Sequence, residues 1–204
     1  MVEHAWAFDL VDPDDGRRHA ALDRHRALLE AASAALCRMN EIWARTGSFA
    51  PADRPSAAAM DQAHAEFRAN RDGTLFGPIS ARDARYAVLF LRWEARYPDE
   101  WRAASPWTWS HWGTKEGLLR WFATAGVPGA VRADVAELIL DALRRPYRCK
   151  DWRYAALLRH VADPSLLDRI RLLAGGDRRA RFLLHVAAHP GERITMNSYR
   201  LYDV

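Results

Sequence analysis

Apolar residues recur at helical spacing along most of the chain, and no segment alternates convincingly enough to read as a strand. After the turn Asp12-Pro13-Asp14-Asp15-Gly16, the stretch from Arg17 to Thr46 contains neither Gly nor Pro and predicts one long helix, the longest in the protein. Leu22, Leu29, Leu36 and Trp43 repeat every seven residues, with Leu28, Ala35 and Ile42 in a parallel row. That stripe is expected to be buried, and Gly47 to cap the helix C-terminus. A second helix opens at Ser56 as its cap, carries Met60, His64 and Phe67 on one side, and ends near Asp72-Gly73. Ser80 and Asp83 form a capping-box pattern for a third, with Tyr86, Phe90, Trp93 and Tyr97 at helical spacing until Pro98 stops it.

Pro98-Asp99-Glu100 begins a short element that Ser105-Pro106 cuts off, and the linker Trp107 to Gly113 follows. A fourth helix is expected over Thr114–Ala125 and a fifth from about Ala130 to Arg145, before Pro146. In the C-terminal third, Asp151–Pro164 aligns without gaps onto Asp177–Pro190, each copy having an Asp cap, an apolar middle and a proline stop. Between them Pro164–Ala174 makes another helix, so paired helices can stack on their neighbours. A last short helix starts at Thr195. The expected fold is therefore all-α: one domain over residues 1–204, a multi-helix bundle with a HEAT-like array in its C-terminal third. A sub-division would fall between a bundle at 1–129 and an array at 130–204.

Composition sharpens this. Half of the 204 residues are hydrophobic and 27% are charged, enough apolar surface for a core and too much for global disorder. Two cysteines, Cys37 and Cys149, do not make a disulfide framework and suit a reducing compartment. No apolar run reaches the roughly 18 residues of a membrane span, and the opening residues carry Glu3 and Asp9, not a basic, apolar leader. A cytoplasmic location without membrane contact is the expectation. The cations are nearly all arginine, with Lys115 and Lys150 the only lysines, and alanine is abundant, a skew that fits a GC-rich bacterial genome. Residues 132–204 hold 14 cationic against 9 acidic side chains, whereas 1–131 hold 16 against 17, so any basic surface belongs to the C-terminal third.

That third contains the main candidate site. Arg144, Arg145, Arg148, Lys150 and Arg153 surround Tyr147 and Trp152 between two helices, a mixture suited to phosphate and base contacts or to an acidic protein partner. The structural alternative is a helix end whose cations complement the dipole. Pro146 cannot continue the fifth helix and Asp151 can cap the next, so residues 147–150 are expected to form an exposed connection. Charge reversal of Arg148 and Lys150 should then cost roughly 0.5 kcal/mol or less per site if neither has a buried partner. Nine tryptophans are the second unusual feature, and Trp107, Trp109 and Trp112 with His111 read either as rings filling gaps between helices or as an aromatic binding surface.

Other chemistry is sparse. His185 and His189 share a helix face and could hold two corners of a metal site, with Cys149, His160 or Asp151 as the third ligand. Packing of His185 and a helix C-terminal role for His189 explain the same spacing. The acidic turn at Asp12, Asp14 and Asp15 lacks a calcium-loop continuation, the glycines lack phosphate-loop spacing, and Cys37 reads as a small buried side chain. No catalytic residue, metal or cofactor is assigned. The functional expectation is a non-catalytic helical binding module, an adaptor, inhibitor or immunity-type protein. It would recognise a protein partner through Arg145, Arg148, Lys150, Trp152, Arg153, Trp107, Trp109, His111 and Trp112, with self-association left open. The alternatives are a nucleic-acid-binding accessory protein and a small metal-dependent or pocket-based enzyme.

Overall fold

The computed structural model describes residues 4–76, 83–104 and 110–202, and among these the chain is all-helical with no strand. Its helices are α1 (Asp15–Thr46), α2 (Arg54–Asp72), α3 (Ala84–Arg96), α4 (Pro98–Ala103), α5 (His111–Ala125), α6 (Arg132–Arg144), α7 (Tyr154–Val161), α8 (Pro164–Ala174), α9 (Arg178–Ala188) and α10 (Met196–Leu201). Short 3-10 turns occupy Ala5–Val11, Gly129–Val131 and Asp151–Arg153. Contacts divide the chain into two compact units, Met1–Asp83 with Arg96–His111, and Ala84–Ala95 with Trp112–Val204.

In the first unit α1 is unbroken over 32 residues and packs on α2. The Asp14 carboxylate accepts from the Arg17 N–H to open α1, and Gly47 closes it in the left-handed region, where a Cβ would be strained (φ 69°). The buried stripe is Leu22, His25, Leu29, Ala32, Ala35, Met39 and Ile42. Trp43 is not part of it: the ring is 47% exposed and stacks on exposed Phe49 at 6.0 Å. Trp43 stands on the same line of the helix as buried His25, about five turns further on, so the buried face itself shifts along α1: at this end Met39 and Ile42 turn inward and Trp43 is left outside. Cys37 likewise is exposed, not buried. α2 is opened by Asp53, whose carboxylate accepts from the Ser56 N–H, so Ser56 is a first-turn residue and not the cap. Met39 and Ile42 meet Met60 and Ala63, flanked by Leu36 and Phe67.

Towards the other end of α1, the buried Arg18 guanidinium donates to Glu100 of α4 (3.1 Å) and to the Asp12 carbonyl, and lies over the Tyr97 ring. Tyr97 donates to the same carbonyl. Ser80 and its capping box lie outside the described residues.

In the second unit α3 is buried over most of its length, with Ala87, Val88, Leu89, Phe90, Leu91, Trp93 and Glu94 all inside. α6 packs against α7 and α8, and α9 packs against both of those. Asp163 and Asp177 cap α8 and α9 through the Leu166 and Arg179 N–H groups, and Thr195 with Ser198 forms a capping box for α10. Asp151, which the sequence aligns with Asp177, caps nothing, because its carboxylate is buried among cations.

Candidate functional site

Lys115 lies on the inner face of α5 with Leu118, Leu119 and Phe122, and its side chain is fully buried. A lone ammonium there would be costly to desolvate, and two carboxylates meet it: Asp151 Oδ1 at 2.7 Å and Glu94 Oε2 at 3.2 Å. Arg145, just past α6, forks onto the Asp151 carboxylate through Nη1 (2.8 Å) and Nη2 (3.1 Å), and Nη2 also reaches Glu94 at 3.1 Å. Arg148 Nη1 donates to Glu94 Oε1 at 3.1 Å and to the Glu94 carbonyl, while its backbone N–H donates to Asp151 Oδ2 at 2.7 Å. Burial works against the Arg145 charge, but the Asp151 hydrogen bonds and the charges of Asp151 and Glu94 outweigh it and hold its pKa above the ordinary value. Burial pushes the neighbouring Tyr154 phenol well above its usual range.

An outer layer continues the pattern. Lys150 pairs with Glu116 at 2.7 Å and Arg153 pairs with the same carboxylate, and these bonds hold Glu116 below the ordinary carboxylate value against the effect of burial. Arg144 meets Asp141 at 3.5 Å. Of the expected exposed connection, Tyr147 and Cys149 are exposed, while Arg148 and Lys150 are half-buried and paired. Trp152 is buried, with the Arg153 guanidinium 4.4 Å above its ring. The condition for a small stability cost is not met at Arg148, whose partner Glu94 is fully buried.

Beside this connection runs an aromatic edge. Tyr147 and Tyr199 stack at 5.6 Å and 14°, and Phe182 meets the edges of Tyr199 and Tyr202. Under them Ile139, Leu143, Phe182 and Leu183 line a cleft with about 20 Å³ of free space, room for about one water. Arg179, which sequence reasoning missed, closes the C-terminus of α6 by donating to the carbonyls of Ala142 (2.9 Å), Leu143 (2.7 Å) and Arg145 (2.7 Å).

The tryptophan-rich segment does not form one described site. Trp107 and Trp109 lie outside the described residues. His111 is buried in the first unit against Trp101 (4.5 Å) and Phe76 (5.0 Å), and burial lowers its pKa although the Trp101 backbone opposes the shift. Trp112, in the second unit, stands 5.4 Å from the Lys115 ammonium. His185 and His189 do share a face, with ring centroids 4.3 Å apart. None of the expected third ligands joins them: His160 bonds the Ala123 carbonyl, Asp151 is held by Lys115 and Arg145, and Glu192 takes the third place. Among the described residues no helix is long and apolar enough to cross a membrane. In comparisons with known proteins, no family model matches the chain, and no curated protein or solved structure resembles it significantly.

Proposed function

We propose that the chain is a non-catalytic helical binding module, bacterial and cytosolic, that recognises a protein partner through the connection at residues 147–150 and the aromatic edge beside it. One observation carries the choice of a protein over a nucleic acid: each of Arg144, Arg145, Arg148, Lys150 and Arg153 already has a carboxylate partner within the chain. Phosphate-directed binding draws its affinity from cations free to displace counterions, and these are engaged. What the stretch offers to solvent is Tyr147, 42% exposed, next to the Tyr199 ring. Tyrosine held by stacking loses little conformational entropy on binding and is enriched among the residues that dominate interface energies.

The two exposed cysteines provide the test. A photo-crosslinker placed on Cys149, with Cys37 changed to Ser, should capture a defined protein that the same reagent on Cys37, with Cys149 changed to Ser, does not. Affinity for that protein should fall by roughly 30-fold or more in Tyr147→Asp, the effect of losing a contact worth about 2 kcal/mol, while the thermal midpoint moves by a few degrees. Equal capture from both positions, or unchanged affinity in the variant, overturns the proposal. A steep log-log loss of affinity with salt and a nucleic acid in the captured material would favour the nucleic-acid reading.

A further inference from the structure

The end of α9 holds a second arrangement that adjoins the aromatic edge, Tyr202 standing 5.1 Å from the His185 ring. His185 lies in the last turn of α9 and His189 is its C-cap, so the four-residue spacing brings both imidazoles to one side. Pro190-Gly191 then reverses the chain, with the Glu192 N–H donating to the His189 carbonyl at 3.1 Å. The Arg159 guanidinium donates to the His189 and Glu192 carbonyls from outside and fixes that turn. The reversal delivers the Glu192 carboxylate to His185 Nε2 at 2.9 Å. One ligand atom from each of His185, His189 and Glu192 lies within 4.8 Å of the other two. Small rotations of exposed His189 and Glu192 would bring them to the ~3.3 Å edge implied by metal bonds of about 2.0–2.1 Å.

The hydrogen bonds also suit metal binding. His189 Nδ1 lies 2.9 Å from the His185 carbonyl, which can only accept, so the ring proton sits on Nδ1 and the Nε2 lone pair is left for an ion. His185 can offer its Nε2 lone pair once its ring proton moves to Nδ1, replacing the present hydrogen bond to Glu192 with a shared metal. A cavity of about 210 Å³ adjoins the cluster, lined by His185 and Glu192 together with Phe182, Ile194, Ser198 and Tyr202, and leaves room for water or a small ligand at an open position.

We propose that His185, His189 and Glu192 form a three-ligand site for a divalent transition-metal ion, zinc by the chemistry of two imidazoles and one carboxylate, with its fourth position open to this cavity. Calcium or magnesium would call for oxygen ligands instead. The site neither requires nor excludes the binding-module reading.

The full chain, without an affinity tag and stripped with a chelator, is titrated with Zn²⁺ against a chromophoric competitor of micromolar affinity. One equivalent should bind. His185→Ala and His189→Ala should each weaken binding by more than ~100-fold, beyond what loss of an outer-shell contact costs, and Glu192→Gln by at least ~10-fold. His19→Ala, whose ring is 62% exposed and outside the cluster, should bind as the parent does. At equal concentration Zn²⁺ should also raise the thermal midpoint of the parent by more than that of Glu192→Gln, whose exposed carboxylate can be changed without loss of packing. Failure of the parent to compete for one equivalent, or affinity unchanged in His189→Ala and Glu192→Gln, would overturn the site.

Discussion

The His25 imidazole makes a pH-dependent contribution that the structure allows to be worked through. The side chain is fully buried on α1 between the Trp6 and Phe76 rings, and its Nε2 accepts from the Leu75 N–H at 3.4 Å. Burial first, then the neighbouring His111 and Arg26, lowers its pKa to about 3. In the unfolded chain the value returns to about 6.5. The unfolded state therefore takes up a proton that the folded state refuses, and stability is full above about pH 6.5 and lost as pH falls towards 3. Between pH 7.5 and pH 5 the linkage amounts to about 2 kcal/mol for this one group. His111, also lowered, adds in the same direction. The carboxyls held low in the fold, those of Asp14, Asp53, Glu116, Glu137 and Asp177, lose their contributions only as pH falls through about 4. The interval from 7.5 to 5 isolates the imidazoles.

Urea unfolding at pH 7.5, 6.5, 5.5 and 5.0 of the native protein and of His25→Gln, which retains an acceptor for Leu75 and cannot titrate, measures the effect. The variant should be less stable at pH 7.5 by about 1–3 kcal/mol through lost packing. That deficit should shrink by about 2 kcal/mol at pH 5, because only the native protein loses the linkage contribution. A deficit that stays constant with pH refutes a neutral, buried His25.

Two further outcomes concern packing. Buried Lys115, Glu94 and Asp151, with the partly buried Arg145 and Arg148, have one cation in excess, so Asp151→Asn, which deepens the imbalance, should cost about 3–5 kcal/mol, whereas Lys115→Met should cost less than half as much; chemical denaturation giving the opposite order would contradict the assigned charges. On α1, Leu29→Ala should lose about 2–5 kcal/mol and Trp43→Ala about 1 kcal/mol or less, in the reverse order of side-chain size, since only Leu29 is buried.

Much of the helical frame was legible because its signals are local. The uninterrupted run before Gly47, the Asp-Pro start of α8 and the Gly-Pro breaks around 126–129 mark element ends within a turn of where they lie. Trp43 escapes the stripe because the face that α1 buries shifts along its length: the ring lies in line with buried His25, but at this end α2 covers the side that carries Met39 and Ile42, and periodicity alone does not say where a partner helix sits. The charged network had a signal that charge totals hide. Lys115 shares a 3-4 spacing with Leu118, Leu119 and Phe122, and Glu94 sits within the apolar run of α3, so each is a charge on a buried face. Lys115 meets Asp151 across 36 residues, and Glu94 meets Arg145 and Arg148 across 51 and 54, separations that no periodicity encodes. Glu192 was nearer at hand, three residues beyond His189 across a Pro-Gly turn signal, but the Arg159 guanidinium that fixes the turn comes from 30 and 33 residues away.

The same network bears on what a partner would meet at residues 147–150. A connection between two helices ordinarily loses entropy when it is ordered at an interface. Here Arg148 is tied at both ends, its guanidinium to Glu94 and its N–H to Asp151, and Lys150, in the left-handed region at φ 70°, is anchored to Glu116. The backbone that presents Tyr147 is thus held by partly buried ion pairs, so under the proposed function little ordering cost falls on binding. Cations that a charge count assigns to recognition serve to fix the loop, and under the proposed function recognition falls to the uncharged rings they position.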